Sequence, residues 1–124
     1  MASRPKILLV DDDPSVRASL AFSLELEGFL IETFDAAQTL LARTEFPAEA
    51  CLVIDYRLPG MDGLTLLDEL RSRGIDLPAI MITSSPTRRL RDLAAAAGTP
   101  IVEKPLMCDA LTLAIRSALM ARAA

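Results

Sequence analysis

The feature that most constrains this chain is a series of short apolar runs without internal alternation, each followed by a longer stretch of helical period. Lys6-Ile-Leu-Leu-Val10, Ala50-Cys-Leu-Val-Ile54 and Pro78-Ala-Ile-Met-Ile-Thr83 are of this kind. A strand with one wet face alternates apolar and polar residues, whereas an unbroken run suits a strand buried on both faces, as in a parallel sheet. Phe29-Leu-Ile-Glu-Thr-Phe34 and Pro100-Ile-Val-Glu103 supply two further strands. Between them the spacing predicts helices. Asp13-Pro14 opens the first, with Asp as cap and Pro at the first helical position; Val16, Leu20, Leu24 and Phe22 form its inner face and Gly28 ends it. The second runs from Ala36 to Glu45, with Asp35 as cap and Pro47 as stop. The third covers Leu64 to Arg73, before Gly74; the fourth Pro86 to Ala97, before Gly98; the fifth Cys108 to Ala121, with Leu111, Ile115 and Leu119 inward. Five β–α units in series predict an α/β fold, a doubly wound parallel sheet with helices on both faces.

Such a sheet places its ligand site at the carboxyl ends of the strands, near the topological switch point. At the predicted ends stand Asp11-Asp12, Asp55, Thr83-Ser84 and Lys104. If the strands ending at Asp11 and Asp55 are neighbours, three carboxylates crowd together and raise one another's pKa unless something neutralises them. A hard divalent cation does so, and Mg²⁺ favours a few carboxylates together with water and phosphate oxygens. Asp55 is of the residue type that accepts a phosphoryl group as an acyl phosphate. That transfer asks mainly for positioning and charge neutralisation, which Mg²⁺ and one cationic side chain supply. Lys104 is the only lysine besides Lys6. Taken singly, each residue has a plainer meaning: Asp11 to Asp13 as an acidic helix start, Asp13 as no more than its cap, Lys104 as a solvated cation, Thr83 as a strand-end hydroxyl. Their convergence on one sheet edge is what points to chemistry.

Composition narrows the choice. The 124 residues fit one domain, and with 52% hydrophobic residues a core needs no staples. No apolar run reaches the roughly 18 residues of a membrane span. The start, Met1 to Lys6, leads into an apolar run broken at Asp11 and does not read as a signal peptide. Cys51 and Cys108 lack metal-ligand spacing and read as reduced thiols of a cytoplasmic protein. The net charge of −4 argues against direct nucleic-acid binding. The absence of histidine excludes His-based metal sites, Ser-His and Cys-His catalysis, and a histidine phosphotransfer role.

Val10-Asp11-Asp12-Asp13-Pro14, then Ile54-Asp55-Tyr56-Arg57-Leu58-Pro59-Gly60-Met61-Asp62-Gly63, then Ile82-Thr83-Ser84 and Glu103-Lys104-Pro105 resemble response-regulator receiver domains, in order and over nearly the whole chain. The stretch from Asp55 to Gly63 is the most specific, and its wording is similar to that of FixJ-like receivers. The resemblance implies a flavodoxin-like, CheY-like (βα)5 sheet in the order 2-1-3-4-5, with residues 1–124 as a single receiver domain and no output domain. It implies Asp55 as phosphoacceptor and Asp12 and Asp55 as carboxylate ligands of Mg²⁺, with Mn²⁺ as an alternative. Asp11 would assist through water and Arg57 through its backbone carbonyl. Lys104 would pair with the phosphoryl group, its bond to Pro105 would be cis, and Thr83 would be the switch hydroxyl. The donor would be a sensor histidine kinase or histidine phosphotransfer protein, and the recipient a downstream protein partner. A homodimer through the fourth helix, fifth strand and fifth helix would be a further use of the output face. Such a chain is no enzyme beyond its own phosphorylation and dephosphorylation.

The pattern departs from the family at the fifth strand. Ile101 stands where Tyr or Phe is usual, Leu106 follows Lys-Pro where Phe is common, and the loop from Gly98 to Lys104 is one residue short. The aromatic switch therefore does not carry over; either Ile101 takes its place with a smaller shift, or the face of the fourth helix is altered. Arg88-Arg89-Leu90-Arg91 reads as a solvated face or as a surface for an acidic partner. Two rivals remain. A phosphatase of the haloacid dehalogenase type would use the Asp11 to Ser15 stretch, but it needs an acidic motif after its lysine, and only Asp109 follows Lys104. A degenerate receiver would keep the fold as an interaction module without phosphate control.

Overall fold

The computed structural model describes residues 4–104 and 109–123. Strands and helices alternate: β1 Lys6–Val10, α1 Pro14–Leu26, β2 Leu30–Phe34, α2 Ala37–Leu41, β3 Ala50–Asp55, α3 Gly63–Ser72, β4 Ala79–Thr83, α4 Arg88–Ala96, β5 Ile101–Glu103 and α5 Ala110–Ala123. All strand pairs are parallel and the order is β2-β1-β3-β4-β5. The chain thus reverses direction across the sheet between β1 and β3, and the switch point lies between Val10 and Ile54, which are in register.

The unbroken apolar runs follow from this order. β3 and β4 are buried along their whole length and β1 from Ile7 onward, because each has a strand on either side and a helical layer on either face. Side chains alternate between two cores. Leu8, Val10, Leu52, Ile54 and Met81 face α2 and α3, where Leu40, Leu66, Leu67 and Leu70 meet them. Ile7, Leu9, Cys51, Val53, Ile80 and Ile82 face Leu20 and Leu24 of α1 and Leu111 and Ile115 of α5. The edge strand β2 is wetter, and its Glu32 is tied to Lys6 at 2.8 Å and to Arg43. Burial pushes the Cys51 thiol up to about 12, so it packs as an inert core residue.

Helices α1, α3 and α4 start at side-chain caps. Asp13 Oδ1 accepts from Ser15 N at 2.9 Å and Val16 N at 3.2 Å, with Pro14 at the first helical position. Asp62 Oδ1 caps α3 through Thr65 N at 2.8 Å, and Thr87 Oγ1 caps α4 through Leu90 N at 3.1 Å.

Four sequence expectations are corrected. Phe22 is 65% exposed and not part of the α1 inner face, because Leu20 and Leu24 already span the buried stripe. Helix α2 stops at Leu41, short of Glu45, and Arg43 turns back to the edge strand instead. Asp35 does not cap it: Ala36 holds the cap position, and Asp35 Oδ1 accepts from the Thr39 hydroxyl at 2.9 Å. Helix α4 starts at Arg88 rather than Pro86, where Thr87 supplies the cap. Cys108, Leu106 and the Lys104–Pro105 bond lie outside the described residues.

Candidate functional site

Three strand ends build the site. β1 runs out at Val10 into Asp11, β3 ends on Asp55 itself, and β5 delivers Lys104 one residue past Glu103. Asp11 is fully buried, Asp55 nearly so, and Asp12 exposed. One carboxylate oxygen from each of the three lies within 4.8 Å of the others. Lys104 Nζ sits over the two buried acids, 3.3 Å from Asp11 Oδ2 and 3.2 Å from Asp55 Oδ2. The sheet holds the lysine there: Lys104 N donates to Thr83 O at 2.8 Å, continuing the β4–β5 ladder past Thr83 and Glu103.

Backbone contacts orient the two buried acids. Asp11 N donates to Phe34 O at 3.1 Å, and Asp11 Oδ1 accepts from Asp13 N at 2.9 Å. Asp55 Oδ1 accepts from Arg57 N at 3.2 Å, which leaves Oδ2 toward Lys104. The turn after Asp55 is fixed by Tyr56 N donating to Ile82 O at 2.9 Å and by Gly63 N donating to Tyr56 O at 2.7 Å. Gly63 is needed for this close return. A Cβ there would stand 2.8 Å from the Asp55 carbonyl oxygen, 2.6 Å from Met81 Sδ and 3.0 Å from Ile54 Cγ2.

The electrostatics follow from burial and charge. Burial first, and the facing Asp11 carboxylate second, hold the Asp55 carboxyl above its ordinary value, against the opposing pull of Lys104 and the Arg57 N–H. For Lys104, burial works to lower the ammonium, but Asp55 and Asp11 together outweigh it and the group is held above its ordinary value. The cleft so built carries three carboxylates and one ammonium among the described residues. The donors are all oxygen, close together and only partly buried, which is the donor chemistry a hard divalent cation accepts. Thr83 Oγ1 is buried and has no hydrogen-bond partner among the described residues. An unpaired buried hydroxyl is costly and uncommon.

The structure brings Asp11, Asp12, Asp55 and Lys104 into one cleft at the switch point and puts Thr83 at the end of the adjacent strand. Arg57 lies on the loop beyond Asp55 with its side chain exposed. Ile101 is half-buried at the start of β5, in register with Met81 and packed on the α2–α3 core, at the far end of β5 from Lys104. Sequence reading missed Arg17, whose Nη1 donates to Asp11 O at 2.7 Å. Its only signal was a cation one turn into the first helix, on the side that also carries Asp13.

Acids and a lysine gathered from three strand ends at the switch point are the features of a signalling domain of the receiver class. The response regulator receiver domain family matches residues 7–116, and the chain belongs to that family. It is a receiver domain of two-component signalling, a class that pairs with histidine kinases and downstream effectors. The chain is 34% identical over 120 residues to the transcriptional regulatory protein FixJ of Bradyrhizobium diazoefficiens, covering 96% of this chain and 58% of that protein. It is 36% identical over 121 residues to the C4-dicarboxylate transport transcriptional regulatory protein DctD of Pseudomonas aeruginosa, covering 97% of this chain and 26% of that protein. It thus spans only part of either relative's length. Against the crystal structure of FixJ-N the TM-score is 0.86 at 32% identity, with 96% of both chains covered. The FixJ-like wording between Asp55 and Gly63 and the strand order 2-1-3-4-5 are both borne out.

Proposed function

We propose that this receiver accepts a phosphoryl group on Asp55 in a Mg²⁺-dependent reaction and passes the signal through Thr83 and the β5 edge. The observation that carries this reading is the pairing of a nearly buried Asp55 carboxylate, bonded to Lys104 at 3.2 Å, with a buried Thr83 hydroxyl that has no partner among the described residues. Asp55 Oδ2 is the attacking atom. Its new bond to phosphorus forms as the bond from phosphorus to the donor's nitrogen or oxygen breaks, and the donor leaves with that electron pair. Asp55 Oδ1 stays oriented by the Arg57 N–H. Lys104 donates to the incoming phosphoryl oxygens, and Asp11 keeps the lysine aimed once Asp55 is consumed. Bound Mg²⁺ would supply positive charge to the phosphoryl oxygens. Asp12 and Asp55 would hold it by carboxylate, Asp11 through water and Arg57 by its backbone carbonyl. The Thr83 hydroxyl then finds its missing partner in a phosphoryl oxygen.

The donor is a phosphohistidine on a sensor kinase or phosphotransfer protein, which this chain, lacking histidine, cannot provide itself. Its setting is the cytoplasm, and it turns over no separate substrate. The downstream partner or a second copy would meet the α4–β5–α5 face, where Arg88, Arg89 and Leu93 are exposed. Intact-mass measurement after incubation with acetyl phosphate and Mg²⁺ tests the reading. One labile phosphoryl adduct, absent in Asp55→Asn and without Mg²⁺, is the expected result. No adduct, even with a competent kinase, would leave the fold acting as an interaction module alone.

A further inference from the structure

Asp11 is held by both its backbone and its side chain. Its N–H is bonded to β2 through Phe34 O at 3.1 Å, Oδ1 to Asp13 N at 2.9 Å, and Oδ2 to Lys104 at 3.3 Å. That leaves its carbonyl oxygen, which no strand reaches because β1 ends at Val10. Arg17 takes it, with Nη1 donating at 2.7 Å from the first turns of α1. This is a charge-assisted bond to a backbone oxygen in a part-buried place, among the stronger contacts of the site. The carbonyl of Asp11 belongs to the peptide that carries Asp12. Among the described residues the Asp12 carboxylate has no hydrogen bond of its own, so nothing on its side chain fixes its aim. The aim comes from the peptide plane, and the group that fixes that plane from the helix side is the Arg17 guanidinium.

We infer that Arg17 is a positioning residue for the cation site: by clamping the Asp11 carbonyl it holds the Asp11–Asp12 peptide so that the exposed Asp12 carboxylate turns toward Asp55. The inference rests on the Mg²⁺ reading of the acidic cluster. Arg17 touches neither the cation nor the phosphoryl group. Its guanidinium works on the backbone, as outer groups do when they orient the carboxylates that bind a metal; losing one commonly costs tenfold or more in metal affinity. Two effects compete, since a cation near the cleft also repels Mg²⁺. The geometry decides for positioning. One N–H of the guanidinium, on Nη1, goes to a neutral carbonyl, and among the described residues none of its hydrogen bonds goes to the three carboxylates.

The test is a Mg²⁺ titration of the intact chain, read by the fluorescence of Tyr56, the only tyrosine in a chain without tryptophan and the neighbour of Asp55. Urea unfolding without Mg²⁺ is measured beside it. Arg17→Leu keeps an apolar stem but no donor, and is expected to weaken Mg²⁺ about tenfold. Arg17→Lys, which keeps a donor and the charge, recovers part of that loss. Leu20→Val loosens the same helix without touching the Asp11 carbonyl and is expected to lose stability while keeping the wild-type Mg²⁺ affinity. Wild-type affinity in folded Arg17→Leu would overturn the inference. So would a loss of affinity in Leu20→Val that tracks its loss of stability, because Arg17 would then be only a structural residue. A wild-type chain whose tyrosine signal and thermal stability ignore millimolar Mg²⁺ would sink the cation reading itself, and the inference with it.

Discussion

Gly63→Ala adds one methyl group at the tightest spot behind the acceptor. The new Cβ would lie 2.6 Å from Met81 Sδ, 2.8 Å from Asp55 O and 3.0 Å from Ile54 Cγ2. Met81 is the flexible end of a side chain and can swing away. The Asp55 carbonyl cannot, because it belongs to a buried strand with a neighbour on each side. A carbon approaching a carbonyl oxygen settles near 3.3 Å or more, so α3 and the strand must part by roughly half an ångström. Overpacking of that kind costs about 1–3 kcal/mol. Replacing glycine at a position without positive φ returns about 0.4–1 kcal/mol through the unfolded chain. The net expectation is a loss of about 1–2 kcal/mol, or a fall in Tm of roughly 4–8 °C for a domain of this size. Urea unfolding followed by circular dichroism reads this directly as a lower midpoint at unchanged slope. The same displacement moves the Asp55 main chain, so the rate of phosphoryl acceptance should drop as well. A midpoint equal to or above that of the wild type would refute the reasoning, because the start of α3 would then retreat from the strand without cost.

Further outcomes follow from the charges of the cleft. Arg57→Ala should change the decay rate of the phosphorylated protein more than its unfolding midpoint, since its side chain is exposed beside the acceptor; unchanged decay in a mass time course would count against it. Lys104→Ala should keep Mg²⁺ binding, because Lys104 supplies none of the proposed ligand oxygens, yet lose the phosphorylation-driven change; a normal spectral response to acetyl phosphate would show that another cation does this work. Asp55→Asn should raise Tm at pH 7 without Mg²⁺. The folded carboxyl is held above its unfolded value by burial and then by Asp11, so the stability linked to its proton is present below the unfolded value and is lost as pH rises through the folded one. The amide escapes that loss, so the gap between variant and wild type should close toward acid pH; a gap that widens there would reverse the sign of the argument.

Much of this was legible because a parallel sheet leaves a plain record. Strands with neighbours on both sides and helices on both faces must be apolar throughout, and β1, β3 and β4 are. The acids and Lys104 were legible for a different reason: a charged residue at the end of such a run has few structural uses. The misses lie where local signals were overridden. Helix α2 carries helical residues past Leu41, yet it ends there, and Arg43 beyond it pairs with Glu32 of the edge strand. Phe22 looked like core by size, yet the stripe of α1 was already filled. Arg17 escaped because its partner is a carbonyl oxygen, and a backbone acceptor leaves no mark in the residue code.

The charge of the cleft accounts for how the signal would leave the site. Three carboxylates against one lysine leave an excess of about two negative charges, which one divalent cation balances. Phosphorylating Asp55 replaces a single negative charge by nearly two and adds three acceptor oxygens. A bound ion and Lys104 would meet part of that demand, and the Thr83 hydroxyl, which has no partner among the described residues, is a further donor. Thr83 ends β4, and its carbonyl holds the Lys104 N–H while its strand pairs with β5 as far back as Ile101. A pull on Thr83 is therefore a pull on a ladder only three residues long, the shortest in the sheet. Ile101 at the other end of that ladder packs on the core without a ring to swing, so under the proposed function the output would be a displacement of the β5 edge rather than the turning of an aromatic side chain.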